Sequence, residues 1–122
     1  MQKEIGKVTE VYVGFEDHGL FCYMVTFDFG GSGQSYGPFA IGSNSTAIAR
    51  TKDEELGWSD AALSRGMQKL IELHEFFNVE TLKKAVGMYV EVERDSSWGR
   101  IECLRRLPVD GGKVFSMEKT DG

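Results

Sequence analysis

The run from Leu20 to Phe29 limits the fold of this chain more than any other. Phe21, Tyr23, Val25, Phe27 and Phe29 recur at every second position, with Cys22, Met24, Thr26 and Asp28 between them. Side chains alternate across a strand, so this spacing puts a continuous aromatic and aliphatic row on one face. Such a row must be buried against another element, and one follows later in the chain. Leu63, Met67, Leu70, Ile71, His74 and Phe77 fall on one stripe at helical spacing, with Ser59 as N-cap and Asp60 at the positive end of the dipole. The spacing predicts one amphipathic helix from about Asp60 to Phe76, its stripe facing the sheet.

The flanking segments supply more strands. Val8, Val11, Tyr12, Val13 and Phe15 alternate roughly with Lys7, Thr9 and Glu10, which predicts a first strand over 5–15. Glu16-Asp17-His18-Gly19 is the turn into the second. Gly30-Gly31-Ser32-Gly33 turns the chain again, and Gln34 to Ile41 carries Tyr36, Phe39 and Ile41 as a third strand. Pro38 donates no ladder hydrogen bond, so this strand belongs at a sheet edge or is bulged. A long polar loop over 42–57 holds the acidic triplet Asp53, Glu54 and Glu55. After the helix come a short turn over 80–84 and a strand over 88–94, with Met88, Val90 and Val92 inward and Tyr89, Glu91 and Glu93 outward. Asp95-Ser96-Ser97-Trp98-Gly99 leads to a strand over 100–107 that Pro108 ends, and Val114 to Met117 form a short last strand. The fold class is therefore α+β: a five- to six-stranded, antiparallel, curved sheet or an OB-like, partly open barrel, with one long helix between strands three and four.

Length and composition fit a single domain spanning 1–122. The chain has 122 residues, 41% hydrophobic and 27% charged, enough for one core without disulfide staples. Cys22 and Cys103 have no Cys-x-x-Cys spacing, and buried free thiols are expected. Apolar runs are short and Met1-Gln2-Lys3-Glu4 lacks a signal-peptide pattern, so a cytoplasmic protein away from membranes is expected. The formal charge of −5 disfavours nucleic acid, although Arg94, Arg100, Arg105, Arg106 and Lys113 gather in the last third and leave a local basic face open.

Catalytic apparatus is not evident. His74 lies on the apolar stripe, where a satisfied core histidine outweighs a metal ligand. His18 sits at a turn beside Glu16 and Asp17, with no third group fixed near it by spacing, and no cofactor motif is present. The Gly30–Gly33 run invites a phosphate-loop reading, but it joins two strands instead of opening a helix, and a glycine hairpin is favoured over an anion site. Binding candidates are Tyr36, Trp98 and Tyr12, amphipathic rings near turns, of the kind that anchor interfaces.

Ile5-Gly6-Lys7-Val8, Glu16-Asp17-His18-Gly19, Phe29-Gly30-Gly31-Ser32-Gly33-Gln34, Tyr36-Gly37 and Ser97-Trp98-Gly99-Arg100-Ile101 together resemble a group of small phage and prophage proteins of unassigned role. Gly66-Met67, Leu82 and Val90 to Val92 extend the likeness over about four fifths of the chain. It departs at Leu82-Lys83-Lys84-Ala85, where the group's pattern has Leu-Lys-Gly-Lys. The resemblance implies a bacteriophage origin and action in the cytoplasm of an infected bacterium, as small acidic phage proteins resemble stoichiometric inhibitors of host defence such as anti-CRISPR proteins. The residues and the resemblance together give three binding expectations, ahead of an enzyme resting on His18 with Asp17. The first is a non-enzymatic binder of a host protein or defence complex, acting through Tyr36, Trp98 and the loop of Asp53, Glu54 and Glu55. The second is a sponge for a nucleotide-like small molecule, with His18, Gln34, Tyr36 and Arg100 around a pocket or a homo-oligomer interface. The third is an OB-like single-strand-binding accessory, against which the net charge argues.

Overall fold

The computed structural model describes residues 2–15, 20–43, 60–95 and 99–117. In chain order these form β1 (Gln2–Phe15), β2 (Leu20–Asp28), β3 (Gly33–Ser43), α1 (Asp60–Phe77), a 3-10 turn (Leu82–Ala85), β4 (Tyr89–Arg94), β5 (Ile101–Arg105), a second 3-10 turn (Pro108–Asp110) and β6 (Val114–Phe115). The six strands make one sheet in the order β3-β2-β1-β4-β5-β6, and every neighbouring pair is antiparallel. The α+β expectation holds at this level, with the helix between β3 and β4. β1 is the long central strand, because its first half pairs with β4 (Gln2↔Arg94 to Lys7↔Tyr89) and its second half with β2 (Val8↔Phe27 to Phe15↔Phe21). A bulge between Val8 and Glu10 lies near the change of partner and bends the strand, which curves the sheet.

The period-two row of β2 does what the alternation requires. Tyr23, Val25 and Phe27 are fully buried, and Val8, Val90, Val92, Leu104 and Phe115 meet them from the other strands. In β4 the pattern also holds, with Val90 and Val92 inward and Tyr89 exposed.

β3 is the edge strand that Pro38 demands, and it is bulged there. Tyr23 pairs with Phe39 but Val25 with Tyr36, so Met24 spans both Gly37 and Pro38. Gly37 makes this possible: its φ is 113°, and a Cβ there would sit 2.9 Å from the Tyr23 carbonyl oxygen.

The helix packs on the sheet through a face rotated from the expected stripe. Leu70, Leu73, Phe76 and Phe77 are buried, whereas Met67 and Ile71 stay 41% and 53% exposed. Two contacts set this rotation. Gly66 lets the backbone approach β3 so closely that a Cβ would lie 3.1 Å from Ile41 Cα. Lys69 is buried, its ammonium donating to the Ser116 carbonyl at 2.8 Å, lying 3.2 Å from Glu72 and 5.5 Å from the Phe115 ring centroid. A buried lysine with partners of this kind replaces an apolar residue on the core face.

At its C-terminal end the helix is closed by cations from the β5–β6 hairpin. Arg106 donates to the Phe76 carbonyl at 2.9 Å and Lys113 to that of Glu75 at 3.5 Å. Both complement the negative end of the dipole; Arg106 supplies a donor to the Phe76 carbonyl, while the Glu75 carbonyl also accepts from the Asn78 N–H at 3.1 Å.

Candidate functional site

β3 runs parallel to β5, since each is two antiparallel steps from β1. No ladder joins them, yet the curvature of the sheet brings their side chains together. Gln34, at the start of β3, donates through Nε2 to the Gly99 carbonyl at 2.7 Å and accepts through Oε1 from Arg94 Nη1 at 2.9 Å. Arg94 is itself buried, pairs with Glu4 and lies 4.6 Å from the centroid of the Phe29 ring. Further along the same seam the Tyr36 hydroxyl donates to the Glu102 carbonyl at 3.4 Å and accepts from the Met117 backbone N–H at 3.3 Å. Its ring stands edge-on to Phe39 at 4.8 Å and to Phe115 at 6.2 Å.

This geometry corrects two expected binding residues. Tyr36 is 5% exposed and part of the core, because the bulge at Gly37-Pro38 breaks the alternation and turns Tyr36 and Phe39 to the same face. It is therefore no interface anchor. Gln34 is half-buried and commits both ends of its amide to pinning the β2–β3 turn against the β4–β5 turn. Arg100 does reach solvent, at 78% exposure, with Glu102 3.9 Å away. His18, Trp98, Asp53, Glu54 and Glu55 lie outside the described residues.

Gly30-Gly31 belong to the turn of the β2–β3 hairpin, the reading that the sequence favoured over an anion site. Their N–H groups donate to the two carboxylate oxygens of Asp28, each at 3.3 Å, so an internal anion already occupies the turn.

The cations of the last third do not share one surface. Arg105 faces outward between Glu91 and Glu93 at 3.5 and 3.6 Å, Arg106 turns to the helix end and Asp110, and Arg94 is inside. Each is matched by an acid. β2 and β3 contain no Lys, Arg or His at all.

Two groups, the Tyr23 phenol and the Cys103 thiol, are held neutral. Burial, with Tyr36 and Glu72 adding to it, pushes the Tyr23 phenol well above its ordinary range. Burial and then the Glu93 carboxylate push the Cys103 thiol up to about 11. Neither group suits nucleophilic work near neutral pH. His74 donates from Nδ1 to the Leu70 carbonyl at 2.8 Å, as expected of a satisfied, half-buried histidine. Among the described residues no cluster of three or more His, Cys, Asp or Glu is placed to hold a metal ion, and no helix is long and apolar enough to cross a membrane.

The rotation of α1 leaves a feature that the sequence did not point to. Met67, Ile71 and His74 form a stripe along one flank of the helix, continued past its end by Asn78 and facing the segment that leads into the first 3-10 turn. Between them runs a groove of about 840 Å³, floored by Leu70 and Val79 and rimmed by Glu75, Glu80 and Lys84. Lys84 is already paired with Glu80 at 2.5 Å. Among the described residues no cation lies within ion-pair distance of the Glu75 carboxylate. The signal for this groove was present in Met67 and Ile71, which the stripe assigned to the core.

Comparison of the chain with protein-family models, with curated proteins and with solved structures finds no match in any of the three.

Proposed function

We propose that the chain is a non-enzymatic, phage-encoded binding protein that acts stoichiometrically on a host protein, as a counter-defence inhibitor or accessory, and that it docks through the flank of α1. The observation that carries this reading is the groove beside that flank, where Ile71 at 53% and Met67 at 41% exposure present apolar side chains to solvent. Large apolar side chains clustered along a groove cost free energy in water, and a partner that covers them removes that cost. Tyr36, first assigned this role, and Gln34, first assigned to a nucleotide pocket, are engaged inside the fold, and the proposal rests on Met67, Ile71 and Val79 instead. Phage origin and action in the host cytoplasm rest on the resemblance of the Glu16-Asp17-His18-Gly19, Gly30–Gln34 and Trp98-Gly99-Arg100 motifs.

We read the sheet as an OB-like, partly open barrel, because the helix joins β3 to β4 and the parallel strands β3 and β5 face each other across a gap bridged by Gln34 and Tyr36. Single-strand binding does not follow from it. The β2–β3 surface used by OB-folds has no cation here, and the net charge is −5.

The test pairs binding with protection. The protein is mixed with purified bacterial defence complexes and weighed by native mass spectrometry, and phage plating is scored in hosts carrying the same systems. A fixed-ratio complex, with plating raised by wild type and not by Ile71→Asp, is the expected result. No complex and unchanged plating across the panel would overturn the proposal.

A further inference from the structure

The shape of the groove says what kind of segment fits it, given that the flank of α1 is the docking face as proposed above. Met67, Ile71 and His74 are spaced four and three residues apart, the spacing of a helix-pairing seam, and Asn78 closes the groove just past the helix end. At 1.5 Å per residue the stripe extends about 11 Å along the axis, or roughly two turns. A strand added to this face would find no free backbone edge, because α1 offers only side chains there. A proline-rich segment needs an aromatic-lined groove, and the lining here is aliphatic with one imidazole.

Charge narrows the occupant further. Glu80 is paired with Lys84, so among the described residues the rim carboxylate with no ion pair is that of Glu75, whose backbone carbonyl and not its carboxylate receives Lys113. A second copy setting the same end of its groove here would bring its own Glu75 and Glu80 to this rim, with Lys84 already engaged. A cation from a different chain meets a carboxylate that no described side chain pairs with.

We infer that the groove takes an amphipathic α-helix whose apolar stripe spans about two turns, with apolar residues at i, i+4 and i+7 and a lysine or arginine beside them that faces Glu75. Its apolar residues seat between Ile71 and Val79, and its cation sets which way round the helix lies.

The experiment uses two labelled model peptides of about four turns with identical leucines at i, i+4 and i+7, one with lysine and one with glutamate on the polar face. Fluorescence anisotropy is read against wild type, Glu75→Gln and Ile71→Asp, each checked for a wild-type melting midpoint. The lysine peptide is expected to bind wild type about 5- to 10-fold more tightly than the glutamate peptide. That preference shrinks in Glu75→Gln, and Ile71→Asp loses both peptides. Equal affinity for the two peptides overturns the inference about charge and leaves the docking face standing. Binding of neither peptide, with protection still sensitive to Ile71→Asp, overturns the helix as occupant. Protection insensitive to Ile71→Asp removes the face itself. A dimer that dissociates in Ile71→Asp assigns the groove to a second copy and overturns the inference.

Discussion

Replacing Gln34 by leucine tests whether the seam between β3 and β5 is held by the bonds described. Leucine fills a similar volume, so the change removes polar contacts without opening a large cavity. It takes away the acceptor of Arg94 Nη1, a bond to a buried guanidinium worth about 1.5–3 kcal/mol, and the donor to the Gly99 carbonyl, a neutral bond worth about 0.5–1.5 kcal/mol. Arg94 already has its Nε buried without a partner, so a second loss falls on a group with little reserve. Together the expected destabilisation is about 2–4 kcal/mol, a fall in melting midpoint of about 10 °C for a domain of this size. Urea and thermal unfolding of Gln34→Leu, Arg94→Met and the double variant supply a cycle. A coupling energy of about 1.5 kcal/mol or more is expected between the two positions. A Gln34→Leu protein within about 0.5 kcal/mol of wild type, or a coupling near zero, would refute the seam as described.

Other positions give further tests. Tyr36→Ala should cost about 3–5 kcal/mol by chemical denaturation and Tyr36→Phe only about 1 kcal/mol, since the ring fills the core while the hydroxyl makes two long bonds. Gly37→Ala should lower the melting midpoint, because it combines φ of 113° with a Cβ 2.9 Å from the Tyr23 carbonyl; an unchanged midpoint would show that β3 relaxes there freely. The Cys103 thiol, raised from 9.0 to about 11, should react with Ellman's reagent near pH 8 about a hundred-fold more slowly than a free cysteine. A raised folded pKa also favours the native state below pH 9 and loses that contribution as pH rises through about 11, so stability should fall over this alkaline window and less so in Cys103→Ala.

Much of the sheet was legible because alternation reports burial directly. Leu20–Phe29 and Tyr89–Arg94 folded as their patterns demanded, and Pro38 marked both the edge and the bulge. The start of β1 was not legible, since Gln2, Lys3 and Glu4 carry no apolar signal and become strand only by pairing with Arg94, Glu93 and Val92. Tyr36 was misplaced because its position near a turn was read as exposure, whereas the bulge at Gly37-Pro38 turns it inward beside Phe39. The helix face was misplaced for a different reason. Hydropathy counts Lys69 as outward and Ile71 as inward, but the Ser116 carbonyl and the Glu72 carboxylate that make a buried ammonium tolerable come from the tertiary structure. The candidate groove was hidden by the same inversion.

The cations that close α1 come from far along the chain, Arg106 lying 30 residues beyond Phe76 and Lys113 lying 38 beyond Glu75. The Asn78 and Val79 N–H groups satisfy the Glu75 and His74 carbonyls locally, whereas the Phe76 carbonyl takes its side-chain donor from the final hairpin. Helix end and hairpin should open and close as one cooperative unit, so amide protons of residues 74–77 should exchange at the same rate as those of β5 and β6. A truncation that removes β6 would then loosen a helix to which it is joined only through space.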